Sequence, residues 1–160
     1  MPDDCCSGPD PLIARHFDKR MRDLAESGQF PEMVDVSRAL LDLLSDADAL
    51  RPTLLELGCG SAALMVALLE RGAVSAYGVD LSPESVATAR RRAETAGVHS
   101  RVTFTVGDGS QVAVPRHDWV VLDRVICCYP HIDALLGNSI GAASLRYAFR
   151  SPTPVAGVAL

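Results

Sequence analysis

The chain has little of several features that mark common protein classes. Its 160 residues include a single lysine, Lys19, and no uninterrupted apolar run approaches the length of about 18 residues that a membrane helix requires. The first residues, Met1-Pro2-Asp3-Asp4, are acidic, whereas a secretory signal begins with basic residues and an apolar segment. We therefore expect a cytoplasmic protein with no membrane span.

Basic surface and paired cysteines are also scarce. The formal net charge is -5, so the chain lacks the broad basic face that nucleic-acid phosphates require. Its five cysteines are odd in number and include the adjacent pairs 5–6 and 127–128, which is not the pattern of a secreted disulfide framework. The metal-ligand spacings C-x2-C and H-x3-H do not occur. We predict neither a nucleic-acid partner nor a metal site.

Turn residues divide the chain into alternating helical and strand patterns. Apolar residues at helical spacing and continuous apolar runs predict the following elements: helices over 10–27, 32–47, 61–71, 83–97 and 131–147, and strands over 53–57, 75–80, 101–106, 118–122 and 147–150. Strands that alternate with helices indicate a doubly wound, Rossmann-like α/β fold. We expect a mainly parallel sheet of about five strands, with helices at the N-terminus.

The most informative segment is the glycine-containing loop that follows the first predicted strand. Gly58 permits a tight turn with unusual dihedral angles, and Gly60 lets the main chain approach a ligand that a Cβ atom would exclude. The helix that follows directs its free N–H groups to the same place. Because Gly58-x-Gly60-x-x-Ala63 also fits a dinucleotide fingerprint, the loop alone predicts a bound nucleotide without choosing between cofactors.

Acidic residues stand at the ends of the predicted strands, where ligands bind in such sheets. Asp80 ends the second strand, where a carboxylate accepts hydrogen bonds from ribose hydroxyls; the alternative is an acid that faces the dipole of a helix N-terminus, or a loop residue. Asp108 ends the third strand and is placed to accept from the exocyclic amine of a base; the alternative is a turn aspartate. Glu56 precedes the glycine loop, where a carboxylate repels pyrophosphate but attracts an ammonium group. These acids favour a cofactor with an amino group.

Three motifs in this order resemble the class I S-adenosylmethionine (SAM) dependent methyltransferases: Glu56-x-Gly58-x-Gly60, Gly78-Val79-Asp80-Leu81-Ser82 and Val106-Gly107-Asp108. The resemblance covers about residues 35–150. It implies SAM as cofactor, with the methionine part at Glu56 and the loop, the ribose at the end of the second strand, and adenine at the end of the third. The residues implied to bind the cofactor are Glu56, Gly58, Cys59, Gly60, Asp80, Leu81, Gly107, Asp108, Gly109 and Asp123. Ala62 departs from the third glycine that many members carry.

The segment Val121–Pro130 resembles the fourth strand and following loop of that family, and its Cys-Cys-Tyr-Pro ending resembles bacterial small-molecule methyltransferases. This implies that Asp123 lies beside the methyl donor, with Tyr129 and His131 on the covering loop as catalytic candidates. An unperturbed histidine has a pKa suited to accept a proton from an acceptor. The alternatives are a Tyr129-Pro130 turn and a histidine that only begins a helix.

The sequence thus predicts a SAM-dependent methyltransferase with a small-molecule acceptor. An NAD-dependent oxidoreductase and a noncatalytic SAM-binding or interaction module are the alternatives. We divide the chain into an N-terminal helical segment on the substrate side, 1–50, a SAM-binding domain, 51–150, and an apolar tail, 151–160. Because the family sheet has two further strands, we expect a shortened sheet, weak activity and an exposed fifth strand through which copies of the chain associate.

Overall fold

The computed structural model of the protein describes residues 10–45, 51–127, 129–150 and 156–159. Its helices are α1 Asp10–Glu26, α2 Asp35–Ser45, α3 Ala63–Glu70, α4 Pro83–Thr95 and α5 Ile132–Ile140, with a short 3-10 helix at His99–Arg101. Its strands are β1 Thr53–Leu57, β2 Ser75–Asp80, β3 Val102–Val106, β4 His117–Asp123, β5 Ala143–Arg150 and β6 Ala156–Ala159. They form one sheet in the order β3-β2-β1-β4-β5-β6.

The central strands β1 and β4 are buried on both faces of the sheet. Leu55 and Val120 pack on the face that α5 covers, and Leu54 and Val121 pack on the face of α2, α3 and α4. This explains why both strands are continuous apolar runs, as expected for parallel strands between two helical layers. From β1 the next strands, β2 and β3, are added on one side, whereas β4 and β5 are added on the other side. The carboxyl ends of β1 and β4 therefore flank the crevice where ligands bind in doubly wound folds.

The two N-terminal helices pack on the helical layer that covers one face of the sheet. Leu40 and Leu44 of α2 are buried in the same core as α3 and β1. Helix α1 lies against α4, where the Asp18 carboxylate accepts a hydrogen bond from the Ser82 hydroxyl. Ser82 in turn accepts from the amide of Ser85 at 3.0 Å and so caps α4. Both helices therefore approach the end of the sheet where the sequence places the cofactor.

Five parallel strands with flanking helices confirm the predicted fold. The prediction of one helix from His131 to Tyr147 is wrong, because α5 ends at Ile140 and β5 begins at Ala143. Residues 143–150 form a strand because they pair with β4: His117 lies opposite Ala143, and Val120 lies opposite Tyr147. The apolar residues beyond Gly141 fit a helical period, but as a strand they also complete the sheet.

The C-terminal residues 156–159 form a sixth strand that the sequence analysis did not predict. This strand, β6, runs antiparallel to β5 and pairs with it from Tyr147 to Arg150. The expectation of an exposed edge is therefore wrong for this half of β5, because its backbone groups find partners in β6. Self-association stays a prediction. The remainder of the predicted tail, and the cysteines at 5, 6 and 128, lie outside the described residues.

None of the helices within the described ranges is both long and apolar enough to cross a membrane. Among the same residues, no three His, Cys, Asp or Glu side chains are grouped so that they could hold a metal ion.

Gly58 lies in the turn after β1 and generates a stability prediction. Its φ is +71°, and a Cβ at this position would lie 2.3 Å from Val125 Cγ2. We expect Gly58→Ala to lower the free energy of unfolding by about 2–4 kcal/mol, since left-handed strain and overpacking add. Gly97→Ala is the matched control: φ is +70° and no atom lies within 4 Å of the added Cβ, so only the strain remains. Urea denaturation measures both losses.

The double variant Gly58→Ala/Val125→Ala separates the two causes. Removing the Val125 methyl groups relieves the steric part, so Gly58→Ala should cost less in the Val125→Ala background than in the wild-type protein. Equal losses for Gly58→Ala and Gly97→Ala would show that Val125 moves aside without cost.

Candidate functional site

Three carboxylates meet at the carboxyl ends of neighbouring strands. Glu56 belongs to β1, Asp80 ends β2 and Asp123 ends β4. Burial, and then the negative charges of Asp123 and Asp80, raise the pKa of Glu56 well above its ordinary value. The side chain of Glu56 is therefore close enough to both aspartates for their charges to oppose its ionisation. A cation placed among these carboxyl groups would favour their ionised forms.

Two oxygens of this carboxylate cluster are buried without a hydrogen-bond partner among the described residues: Glu56 Oε2 and Asp123 Oδ1. The other Asp123 oxygen, Oδ2, accepts from the Ser37 hydroxyl at 2.5 Å, and Arg124 Nε lies 3.8 Å from it. An unsatisfied buried acceptor is unfavourable, so these two oxygens are candidate contacts for a donor group on a ligand. A carboxylate can only accept, and an ammonium group offers three donors.

The glycine loop connects β1 to the end of β2. The amides of Gly58 and Cys59 donate to the Val79 carbonyl at 2.7 and 3.1 Å, and the Gly60 amide donates to Asp80 Oδ2 at 2.7 Å. Gly60 has a φ of +52°, and no atom of the described residues lies within 4 Å of the Cβ that another residue would add. The main chain at Gly60 therefore borders open space beside the acidic cluster.

Cys59 in this loop and Ala62 just after it have distinct structural roles. Ala62, which stands where many members carry glycine, adopts a left-handed conformation with a φ of 57° immediately before α3. The Cys59 side chain is buried, and burial, with the charges of Asp80 and Glu56, raises the pKa of its thiol well above the ordinary value. The Cys59 thiol is therefore a protonated packing group in this loop.

Asp80 holds the main chain on both sides of the site. Its Oδ2 accepts from Gly60, and its Oδ1 accepts from the Ser82 amide at 2.9 Å. Burial raises the pKa of Asp80, these two hydrogen bonds oppose that effect, and the charge of Asp18 adds to it. Each carboxylate oxygen has a further lone pair, so Asp80 retains acceptor capacity for ribose hydroxyls. The adjacent Leu81 packs against the apolar cluster on the α5 face.

The loop after β3 contributes to a second cluster of polar side chains, centred on Asp108. Its Oδ1 accepts from the Ser110 amide at 2.8 Å and from the Tyr129 hydroxyl. Burial opposes ionisation, but the hydrogen bonds from Tyr129 and Ser110 and the nearby charge of His131 lower the pKa of Asp108. Asp108 is thus an ionised acceptor at the end of β3.

The glycines beside Asp108 serve packing. A Cβ on Gly107 would lie 2.5 Å from Val112 Cγ2, and one on Gly109 would lie 3.1 Å from Leu135 Cδ1. These contacts explain both glycines without a ligand. Their cofactor-binding roles stay predictions.

The predicted catalytic residues fall into two groups. Asp123 lies with Glu56 in the carboxylate cluster, whereas Tyr129 and His131 lie with Asp108. Tyr129 is buried, and its ring meets the ring of the exposed His131 edge-on, with centroids 6.1 Å apart. His131 is the residue before α5 and its side chain does not cap the helix. The catalytic roles of all three stay predictions.

Sequence reasoning missed the contributions of the N-terminal segment and of α4. Ser37 of α2 reaches Asp123, and Asp18 of α1 reaches Ser82. Arg92 of α4 donates to the Pro31 carbonyl at 2.5 Å and lies 3.5 Å from the Ser61 hydroxyl, beside the glycine loop. These contacts join residues far apart in the chain, so no local motif indicated them.

Comparison with known proteins now decides the family. The model of the methyltransferase domain family matches residues 54–141, which is more than half of the chain. The chain belongs to this family. The match contains all three motifs and the strand end at Asp123, and it confirms the predicted resemblance. The family uses SAM, which confirms the predicted cofactor class.

Individual relatives differ in what they act on. The ribosomal protein L11 methyltransferase of Pasteurella multocida (strain Pm70) is 39% identical over 68 residues, which are 42% of this chain and 23% of that protein. Magnesium protoporphyrin IX methyltransferase from Synechocystis PCC 6803, solved with bound S-adenosylhomocysteine, has a TM-score of 0.71 at 20% identity, covering 88% of this chain and 70% of its own. The [4+2]-cyclase SpnF has a TM-score of 0.73 at 17% identity, covering 90% and 60%. At these identities the two structures show the shared fold.

The raised pKa of Glu56 generates a prediction about stability and pH. The folded protein binds this proton more tightly than the unfolded chain, so stability falls as the pH rises from the ordinary glutamate value, about 4.3, through the raised value. We expect Glu56→Gln to raise the melting temperature at pH 7.5, because an uncharged amide replaces a carboxylate that burial and two like charges disfavour. For the same reason, the stability of the variant should fall less than that of the wild type as the pH rises. Thermal melts from pH 5 to pH 8 measure the effect.

Glu70→Gln is the control, since Glu70 is exposed at the end of α3 and its replacement should change stability by less than about 0.5 kcal/mol. A lower melting temperature for Glu56→Gln at pH 7.5 would contradict the prediction and show that the carboxylate is satisfied in the folded protein.

Proposed function

We propose that this domain binds SAM at the carboxylate cluster and transfers its methyl group to a small-molecule acceptor. One observation carries the proposal: Glu56 Oε2 and Asp123 Oδ1 are buried with no hydrogen-bond partner in the part of the chain that the structure describes, near the open space at Gly60. SAM has an ammonium group and a positively charged sulfur. The ammonium group supplies the donors that these oxygens lack, and both cationic groups offset the negative charge of the cluster.

The same charges argue against the NAD-dependent oxidoreductase. A pyrophosphate at the glycine loop would meet the buried Glu56 and the Asp80 carboxylate, and like charges at close range in a poorly solvated place are strongly unfavourable. The Gly60 amide already donates a hydrogen bond to Asp80. In a pyrophosphate-binding loop this amide would face the ligand instead. The family assignment favours the methyltransferase as well.

Each part of the cofactor has a matching group along the strand ends. Glu56 and the glycine loop bind the methionine part. Asp80 accepts hydrogen bonds from the ribose hydroxyls, and Asp108 accepts one from the exocyclic amine of adenine. The supporting geometry is the fixed orientation of each acid: Asp80 is held by two main-chain amides, and Asp108 by Ser110 and Tyr129. Preorganised acceptors of this kind lose little entropy when the ligand binds.

The bound cofactor supplies a methyl group on a positively charged sulfur, which an acceptor attacks in line. The contribution of the protein is to hold the acceptor close to that methyl group and aligned with it. Asp123, fixed by Ser37, is the candidate to orient an acceptor at the end of β4. His131, which is exposed and lies with Asp108 rather than with Asp123, is the candidate to take a proton from an acceptor that carries one.

The acceptor is proposed to be small because a helix of the same chain covers the acceptor side. Ser37 of α2 lies 2.5 Å from Asp123, and the Asp123 side chain is only 9% exposed. A folded protein substrate would have to displace this helix to present a side chain there, whereas a small molecule would not. The names of the relatives include both a porphyrin and a ribosomal protein as substrates, so the covered site is the argument for the small acceptor.

Binding is tested by calorimetric titration with SAM, S-adenosylhomocysteine and NAD. We expect the first two to bind and NAD to give no heat. Gly60→Ala should weaken SAM binding at least tenfold, because its Cβ points into the open space assigned to the cofactor. Gly97→Ala places a Cβ at a similar φ with no neighbour, far along the chain at the end of α4, and should bind SAM like the wild type. Normal binding by Gly60→Ala would contradict the site.

Turnover is tested with SAM radiolabelled in its methyl group. The acceptors are a porphyrin carboxylate, a simple phenol, an amine and purified ribosomal protein L11. We expect label in a small molecule and none in the protein. Label in L11 alone would contradict the proposed acceptor class. Tight SAM binding with no label in any acceptor would support the noncatalytic module instead.

A further inference from the structure

The Tyr129 hydroxyl connects two loops that the sequence assigned to different tasks. Tyr129 belongs to the loop after β4, on the acceptor side, whereas Asp108 belongs to the loop after β3, on the adenine side. The hydroxyl donates to Asp108 Oδ1 and lies 2.8 Å from the Ser110 hydroxyl oxygen. A phenol has one proton and an ionised carboxylate can only accept, so that proton goes to Asp108.

The phenol is held rigidly. The Tyr129 ring is 7% exposed and packs in the apolar cluster on the α5 face, which includes Leu57 and Leu135. The loop that carries Asp108 is fixed independently, because Asn138 of α5 donates to the Gly109 carbonyl at 2.7 Å and to the Val112 carbonyl at 2.9 Å. The donor and the acceptor of the Tyr129–Asp108 hydrogen bond therefore both have set positions.

Two donors on Oδ1 prevent rotation of the Asp108 carboxyl group. The Ser110 amide and the Tyr129 hydroxyl both bind this oxygen, so the direction of the second oxygen, Oδ2, is fixed as well. An acceptor with a fixed direction favours a ligand that places an N–H there and disfavours one that places a carbonyl oxygen there. Adenine presents an amine at its C6 position, whereas hypoxanthine presents a carbonyl.

We infer that Tyr129 is a positioning residue for nucleobase selection: its hydroxyl fixes Asp108 so that the site prefers an adenine cofactor over its hypoxanthine counterpart. This inference rests on the proposed function. It assigns Tyr129 to the cofactor, through Asp108, and it makes the loop after β4 part of the adenine site.

The test compares S-adenosylhomocysteine with its deaminated analogue, S-inosylhomocysteine, by calorimetry on the full chain. We expect the wild type to bind the adenine compound more tightly. Tyr129→Phe keeps the buried ring and removes only the hydroxyl, so it should weaken S-adenosylhomocysteine binding by about 3- to 10-fold and leave the hypoxanthine compound nearly unaffected. The preference for adenine therefore falls by the same factor.

Tyr147→Phe is the matched control. Tyr147 is 8% exposed on the same face, and its hydroxyl lies 2.7 Å from Ser139 Oγ, away from Asp108. It should lose stability as Tyr129→Phe does and keep the full adenine preference. Ser110→Ala, which removes the hydroxyl beside the phenol, is a second variant that should reduce the preference by a smaller factor.

The outcomes separate this inference from the proposed function. If the wild type binds S-adenosylhomocysteine and Tyr129→Phe weakens both ligands equally, or neither, the proposed function stands and the role of Tyr129 is wrong. If the wild type binds neither compound, the proposed function fails and the inference fails with it. A selective loss in Tyr129→Phe and a smaller one in Ser110→Ala, with an unchanged Tyr147→Phe, supports the inference.

Discussion

The arrangement of the site depends on the repulsion among carboxyl groups that are buried at the carboxyl ends of β1, β2 and β4. Glu56, Asp80 and Asp123 are brought together by strand order alone, because parallel strands that neighbour one another end at the same edge. Their mutual repulsion costs stability in the protein without a ligand. The rest of the domain provides that stability through the apolar packing of β1 and β4 between two helical layers. In the proposed complex, the cationic groups of SAM would therefore be part of the electrostatic balance of the fold.

Main-chain geometry at the site is controlled by side chains that themselves belong to the site. Asp80 fixes the glycine loop through Gly60 and the start of α4 through Ser82. Asp123 is oriented by Ser37 from α2, and Asp108 by Tyr129. A change at any of these acids is consequently expected to alter the position of another element besides removing the proposed contact with the ligand. Binding data on such variants need a stability measurement beside them.

Much of the fold followed from the sequence because its signals are local. Continuous apolar strands and the glycine turn at Gly58 each report on neighbouring residues. The acids at the strand ends were predicted for the same reason. The start of β5 and the existence of β6 depend on pairing between strands, which composition and periodicity do not measure. The hydrogen bonds of Ser37 and Tyr129 depend on contacts between distant parts of the chain, so they required the structure.

The Ser37–Asp123 hydrogen bond joins residues 86 positions apart, and this separation has a consequence for biosynthesis. During synthesis, α2 leaves the ribosome long before β4, so the Ser37 hydroxyl has no Asp123 carboxylate to bind until the end of β4 has been made. Contacts of such large sequence separation form late, after local helices and turns. A nascent chain interrupted before Asp123 therefore contains the glycine loop but lacks the hydrogen bond that joins α2 to the candidate site.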